Sequence, residues 1–155
     1  MTMMSPELKI PPPVVLLLSA LAMWMVVRWL PQWSWPSTAL TALGGVLAVA
    51  GFALIITAMR TFADSKTTIN PLKPAESALI VSHGVFARTR NPMYVGLAMI
   101  LTGWACYLAN AAAWLGVPLF VAYITRFQIV PEERILLGKF GAPFAQYLAQ
   151  VRRWI

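Results

Sequence analysis

The sequence predicts an all-α integral membrane protein: four transmembrane helices in two hairpins, followed by short amphipathic helices on the cytoplasmic face. Three observations carry that expectation. Apolar residues make up 59% of the 155 residues and charged residues 11%, with mean hydropathy +0.70, far from a soluble domain. From Asn91 to Thr125 there is no charge for 35 residues. As one helix that run would reach ~52 Å against a hydrocarbon core of ~30 Å, so the chain must turn back within it. Ten of the twelve basic residues, finally, collect in two stretches, which suits a single cytoplasmic collar.

The elements follow in order, within one domain over residues 1–155. The first span, 13–30, carries only Arg28 near its end, where a long side chain can snorkel. A second span follows closely and no small-residue cleavage site stands out, so the first is not a cleaved signal peptide. The second span, 37–59, is uncharged, and Gly44, Ala48 and Gly51 at near-helical intervals favour close helix packing. Residues 60–91 form a long loop broken at Asn70-Pro71 and Lys73-Pro74, more than a connector needs. The third and fourth spans, 92–109 and 111–129, flank Asn110, the natural turn among small alanines. After Pro131, the apolar positions Ile135, Leu136, Phe140, Phe144, Tyr147, Leu148 and Val151 have helical spacing, interrupted at Gly141-Ala142-Pro143. Two short helices over 131–155 are expected there.

Charge sets the orientation. Arg60, Lys66, Lys73, Arg88 and Arg90 lie between the second and third spans, and Arg126, Arg134, Lys139, Arg152 and Arg153 at or after the end of the fourth. The positive-inside rule places that loop and both termini in the cytoplasm of a multi-pass cell-membrane protein. The net charge of +7 invites a nucleic-acid partner, but no recognition module is present and a basic collar explains it. Cys106 lies inside a span and reads as a small, inert apolar group. His83 reads as a loop or pocket-wall residue, since no set of metal ligands accompanies it; no metal is expected.

The hairpin at Asn110 returns two polar clusters to one face: Arg90-Asn91-Pro92-Met93-Tyr94 and Pro131-Glu132-Glu133-Arg134. Asn91 suits an N-cap and Pro92 the first helical turn. Arg90 beside that helix start makes an anion site, Tyr94 lies one turn in, and Gly96 leaves space near the same face. Pro131 is expected to open a helix whose first turn carries Glu132 and Glu133, favourably placed against the dipole. A carboxylate near Arg90, Arg126 and Tyr94 would make an ionic pocket at a lipid-soluble rim, suited to a zwitterionic ligand and an apolar one.

Ser82-His83-Gly84-Val85-Phe86-Ala87-Arg88-Thr89-Arg90-Asn91-Pro92-Met93-Tyr94-Val95-Gly96 resembles the cofactor motif of the isoprenylcysteine carboxyl methyltransferase family. So does Pro131-Glu132-Glu133-Arg134-Ile135-Leu136-Leu137, followed by Phe140-Gly141, Tyr147 and Val151-Arg152-Arg153-Trp154. The resemblance runs from about Thr67 to the C-terminus; the first two spans match only as hydrophobic helices. It implies S-adenosylmethionine as co-substrate, held at the cytosolic face by the 60–91 loop and the acidic motif, and a lipophilic acceptor entering from the bilayer. Carried over by position, Leu79, Ile80 and Val81 line the adenosine side, and Phe86 stands where a Tyr is common. Arg90 and the tetrad Asn91-Pro92-Met93-Tyr94 bind cofactor, with Asn91 replacing a usual His, and Glu132 is the cofactor-binding acid. The family's substrate-contacting Arg falls on Gln128; Arg126 is the nearby replacement.

A sulfonium methyl is already activated, so the protein must align the acceptor and exclude water. A carboxylate acceptor needs no base but does need a cation to position it, and Arg126 is the choice. An amine or thiol must lose a proton, for which Tyr94, Glu133 or solvent are candidates. The alternatives are a phospholipid-amine N-methyltransferase and a non-enzymatic transport or assembly protein, though the latter would prefer ionisable groups near span centres. A sterol-reductase-type enzyme needs more spans, and a soluble Rossmann methyltransferase is excluded because no strand, glycine-rich turn and helix unit occurs.

Overall fold

Proline sets the first boundary: Pro11 precedes and Pro12 opens α1, Pro12–Trp29, since a missing N–H costs nothing in a first turn. The computed structural model describes residues 7–65 and 80–155. Lys66, Asn70-Pro71, Lys73-Pro74 and Leu79 lie outside them. Ser37 caps α2, Thr38–Asp64, its side chain accepting from the Leu40 N–H at 3.4 Å. That helix continues past the expected end of the second span. Next comes α3, Pro92–Leu108. Helix α4 then runs over Ala113–Phe140, and α5 over Ala142–Gln150. Gly141, at φ +60, makes the break between the last two.

Three of these helices are long and apolar enough to cross a membrane, and α3, at 17 residues, is a shorter apolar fourth. Large apolar side chains point outward along them, among them Leu17, Val46, Val49 and Leu119, each about two thirds or more exposed. Water would not tolerate such a surface and lipid would.

Helix α3 is the hub, packed against α1, α2 and α4. Leu101 and Ala105 of α3 are fully buried among Phe120 and Ile124 of α4, with Val15 and Met23 of α1 in the same core. The small residues of α2 do what their spacing predicts. A Cβ added at Gly44 would stand 2.5 Å from the Gly103 carbonyl oxygen, and one at Gly51 would stand 2.6 Å from that of Gly96. Backbones meet backbones there. Gly96 therefore leaves no room for a ligand on that face; Ile55 and the Gly51 carbonyl fill it.

The turn falls where expected. Ala109 takes the left-handed conformation, φ 43 and ψ 50, and ends α3. Asn110 is fully buried, and its carboxamide is engaged on both sides. The oxygen accepts from Ala112 N–H at 3.0 Å and Ala113 N–H at 3.3 Å, while the nitrogen donates to Leu30 O at 2.8 Å and Ser34 Oγ at 2.9 Å. The loop between α1 and α2 is thereby tied to the loop between α3 and α4.

Pro131 does not open a separate helix. Helix α4 begins as a 3-10 turn over Ala113–Leu115, widens into a π turn over Thr125–Ile129, and continues as α-helix over Val130–Phe140. Pro131 cannot donate to the Phe127 carbonyl. The Leu8 N–H does so instead, at 3.0 Å. With that acceptor satisfied from outside, the helix passes through its proline. The first of the two expected surface helices is therefore the end of the fourth span, and Glu132 and Glu133 lie within a continuous helix rather than at a free N-terminus.

Candidate functional site

Two helix segments and the chain's end converge beside the N-terminus of α3. Asn91 occupies the N-cap position and its carbonyl accepts from Val95 N–H at 3.0 Å, but its side chain does not cap. The carboxamide donates instead to the Arg153 carbonyl at 2.8 Å. Around it the 80s loop and the C-terminal segment are laced together. Thr89 and Arg152 form a bridge, Arg90 N–H donates to Arg152 O at 2.9 Å, and Arg90 Nη1 donates to Leu148 O at 2.8 Å.

Arg90 also pairs with Glu133 at 3.2 Å, and Arg153 grips the same carboxylate with Nε at 3.1 Å and Nη2 at 2.7 Å. Such a two-pronged contact is among the stronger charge-assisted arrangements. The bond to Glu133 raises the Arg153 pKa further above its ordinary value, so Arg153 stays charged. Both Glu133 oxygens are thus engaged by arginine. Tyr147 of α5 donates to the Phe86 carbonyl at 2.8 Å; burial pushes its phenol up to about 12, with Arg90 pulling the other way, so it keeps its proton. Trp154 Nε1 donates to Thr125 Oγ1 at 3.1 Å, fixing the tail to the wide turn of α4.

One contact joins the two polar clusters at their centre. The Tyr94 hydroxyl, in the first turn of α3, donates to Glu132 Oε1 of α4 at 2.5 Å. Thirty-eight residues separate the pair in sequence. The hairpin predicts such a meeting, and the extended α4 achieves it: without the continuous helix beyond Pro131, Glu132 would have no fixed direction.

The remaining expected site residues divide. Val81, Phe86 and Met93 pack together against Ala58 and Phe62 of α2, with the Phe62 and Phe86 rings edge to face at 4.9 Å. Ile80 is half-buried at the edge of the described loop, and Pro92 is buried. Arg126 is elsewhere. Its guanidinium pairs with Glu7 at 3.0 Å and lies 5.5 Å from the Phe127 ring centre. The wide turn between Arg126 and Glu132 breaks the simple 100° register, and the two side chains have different partners. Gln128 is fully buried and donates to the Ile10 carbonyl at 2.7 Å. His83 is exposed, and among the described residues no three His, Cys, Asp or Glu side chains come together as metal ligands.

Sequence reasoning misses Tyr147, Arg153 and Trp154 as clamps, and Glu7 altogether. The aromatic and basic C-terminal residues are a visible signal, but their partners lie 20 to 61 residues away and carry no periodic pattern.

The arrangement is a polar centre at one end of an apolar bundle, with a hydroxyl, two carboxylates and two arginines. An uncharacterized protein of Haemophilus influenzae is 46% identical over 63 residues, which is 41% of this chain and all of that protein. The phospholipid methyltransferase family matches residues 39–142, about two thirds of the chain, from the middle of α2's first turn to the break after α4. With that match spanning both polar clusters and the hairpin between them, this chain belongs to the phospholipid methyltransferase family.

Proposed function

We propose that this membrane methyltransferase moves a methyl group from S-adenosylmethionine to a lipophilic acceptor drawn from the bilayer, in the manner of an isoprenylcysteine carboxyl O-methyltransferase. The observation that carries the reading is the Tyr94–Glu132 contact, with Arg90 and Glu133 beside it. The residues fit the co-substrate. Arg90 Nε is a buried donor without a partner among the described residues, which is costly unless a ligand anion takes it. The carboxylate of an amino acid is such an anion, and Glu132 offers negative charge for its ammonium group. Ile80, Val81, Phe86, Asn91, Pro92 and Met93 complete the proposed binding wall, with Leu79 outside the described residues.

When bound, S-adenosylmethionine supplies a methyl already activated by its sulfonium. Glu132 and Arg90 orient it, and the clamp made by Glu133, Arg153 and Tyr147 holds the loop in place and excludes water. A carboxylate acceptor would form the new O–C bond with an oxygen lone pair and needs no base, the C–S bonding pair leaving on sulfur, and Arg126 at the rim positions it. A phospholipid amine is the second reading, favoured by the family match itself. In that case the departing proton passes to Tyr94–Glu132 or to solvent; Glu133, engaged by two arginines, serves better to hold them than to take a proton.

Titrating S-adenosylmethionine into the detergent-solubilised protein tests the reading. Binding in the micromolar range is expected, unaffected by NADPH; heat released by NADPH and none by S-adenosylmethionine would hand the chain to a reductase-type chemistry. Topology is checked separately. With both termini and the 60–91 loop cytoplasmic, cysteine labelling at Ala111, exposed beside the Asn110 turn, and at the C-terminus should report opposite sides of the membrane. Labels on one side would remove the hairpin and separate the two clusters.

A further inference from the structure

The segment before α1 lies as a strap across the wide turn of α4. Glu7 bridges two arginines of that helix, reaching Arg126 at 3.0 Å and Arg134 at 3.4 Å. Leu8 N–H donates to Phe127 O at 3.0 Å, and Gln128 Nε2 donates to Ile10 O at 2.7 Å. From Ile10 a groove of about 330 Å³ runs between α1 and α4, lined by Val15, Leu18, Leu119, Phe120 and Tyr123. Strap, arginine pair and groove meet at one place.

We propose that this is a seat for an anionic membrane phospholipid, its phosphate on Arg126 and Arg134 and one acyl chain in the groove, with Glu7 a built-in occupant that the lipid displaces. Charge complementarity commits the occupant. Two arginines 60% and 64% exposed already hold a carboxylate between them, and the guanidinium fork suits phosphate at least as well. The groove is apolar and opens to the surface that lipid covers. Its volume is at the lower end for ligand pockets, enough for one chain and not for two.

The strap is also an imperfect occupant. Leu8 sits at φ +57, a left-handed conformation that a branched side chain takes only under constraint. Gln128 Oε1 is buried with no partner among the described residues, because the strap offers Gln128 an acceptor and no donor. A glycerol headgroup carries both hydroxyl donors and, through its esters, acceptors. The inference touches the proposed function at Arg126 alone, where a lipid phosphate and a carboxylate acceptor compete for the same guanidinium.

The test uses the full chain in nanodiscs of phosphatidylcholine, with and without phosphatidylglycerol, a lipid with no amine to methylate. Wild type should retain phosphatidylglycerol selectively, and that lipid should speed hydrogen exchange at the Leu8 amide. Glu7→Gln should bind it about fivefold tighter, the change for half-exposed ion pairs no longer competing, and should show fast Leu8 exchange without it. Arg126→Gln with Arg134→Gln should abolish the preference, and Ala22→Phe, which fills the groove, should weaken retention with the arginines intact. Unchanged affinity in a folded Glu7→Gln, with Leu8 protected in both lipids, would overturn the proposal. So would full retention in Ala22→Phe. S-adenosylmethionine titrated into the same discs reads the proposed function separately: its failure to bind would remove the methyltransferase site and leave the lipid seat standing.

Discussion

Glu132→Gln is expected to weaken S-adenosylmethionine binding by about 1.5–3 kcal/mol, the range for a hydrogen bond to a charged group, or tenfold and more in affinity. The substitution preserves shape, and the amide oxygen can still accept from the Tyr94 hydroxyl now 2.5 Å away. What it removes is the carboxylate's ability to carry charge beside a cationic ligand. The bundle should therefore stay folded while the ammonium and sulfonium of the ligand lose their counter-charge. Tyr94→Phe asks a different question, because it deletes the donor and keeps the carboxylate. Its effect on binding should be smaller, about 0.5–1.5 kcal/mol for a neutral donor. Calorimetry on both variants, beside thermal unfolding, separates the roles. Wild-type affinity in Glu132→Gln together with a fall in melting temperature would make the pair a bolt between α3 and α4, and the site would have to lie elsewhere.

Much of this geometry is legible in the sequence, because its strongest signals are local or periodic. An uncharged run too long for one span demands a turn, and Asn110 among alanines supplies it with a side chain able to bond in four directions. Gly44, Ala48 and Gly51 on α2 announce a close crossing, which Gly96 and Gly103 of α3 complete. The convergence of Tyr94 with Glu132, and of Arg90 with Glu133, follows from the hairpin once its length is known.

The failures are tertiary. Pro131 reads as a helix start because a proline lacks a donor, yet the helix widens into a π turn just before it and Leu8, 119 residues upstream of Phe127, supplies the missing donor. Asn91 reads as a side-chain cap, yet the Arg153 carbonyl competes for its amide and wins. Gly96 reads as space for a ligand and is space for another backbone. In each case a partner distant in sequence decides, and no window of neighbouring residues contains it.

Gly103→Val should be the most damaging single change in the bundle. A Cβ there would lie 2.5 Å from the Gly44 carbonyl oxygen and 3.3 Å from the Ala48 nitrogen, and neither is the movable end of a side chain. Two helices must part, and the second crossing, Gly51 against Gly96, holds them seven residues along. Overpacking commonly costs about 1–3 kcal/mol, and with backbone as the obstacle the loss should be about 3 kcal/mol or more. For a chain of this size that is a fall of roughly 6–12 °C in melting temperature. Gly45→Val is the control, since nothing stands within 4 Å of its Cβ; its effect should stay within about 0.5 kcal/mol. Gly96→Val carries a further consequence, because Gly96 is two residues from Tyr94. Forcing α3 away from α2 there should pull the hydroxyl from Glu132, so that ligand affinity falls along with stability, whereas in Gly103→Val the stability loss should exceed the affinity loss. Thermal unfolding and calorimetry on the three variants check this, and a Gly103→Val protein that melts with wild type would mean that α2 and α3 do not cross at these glycines.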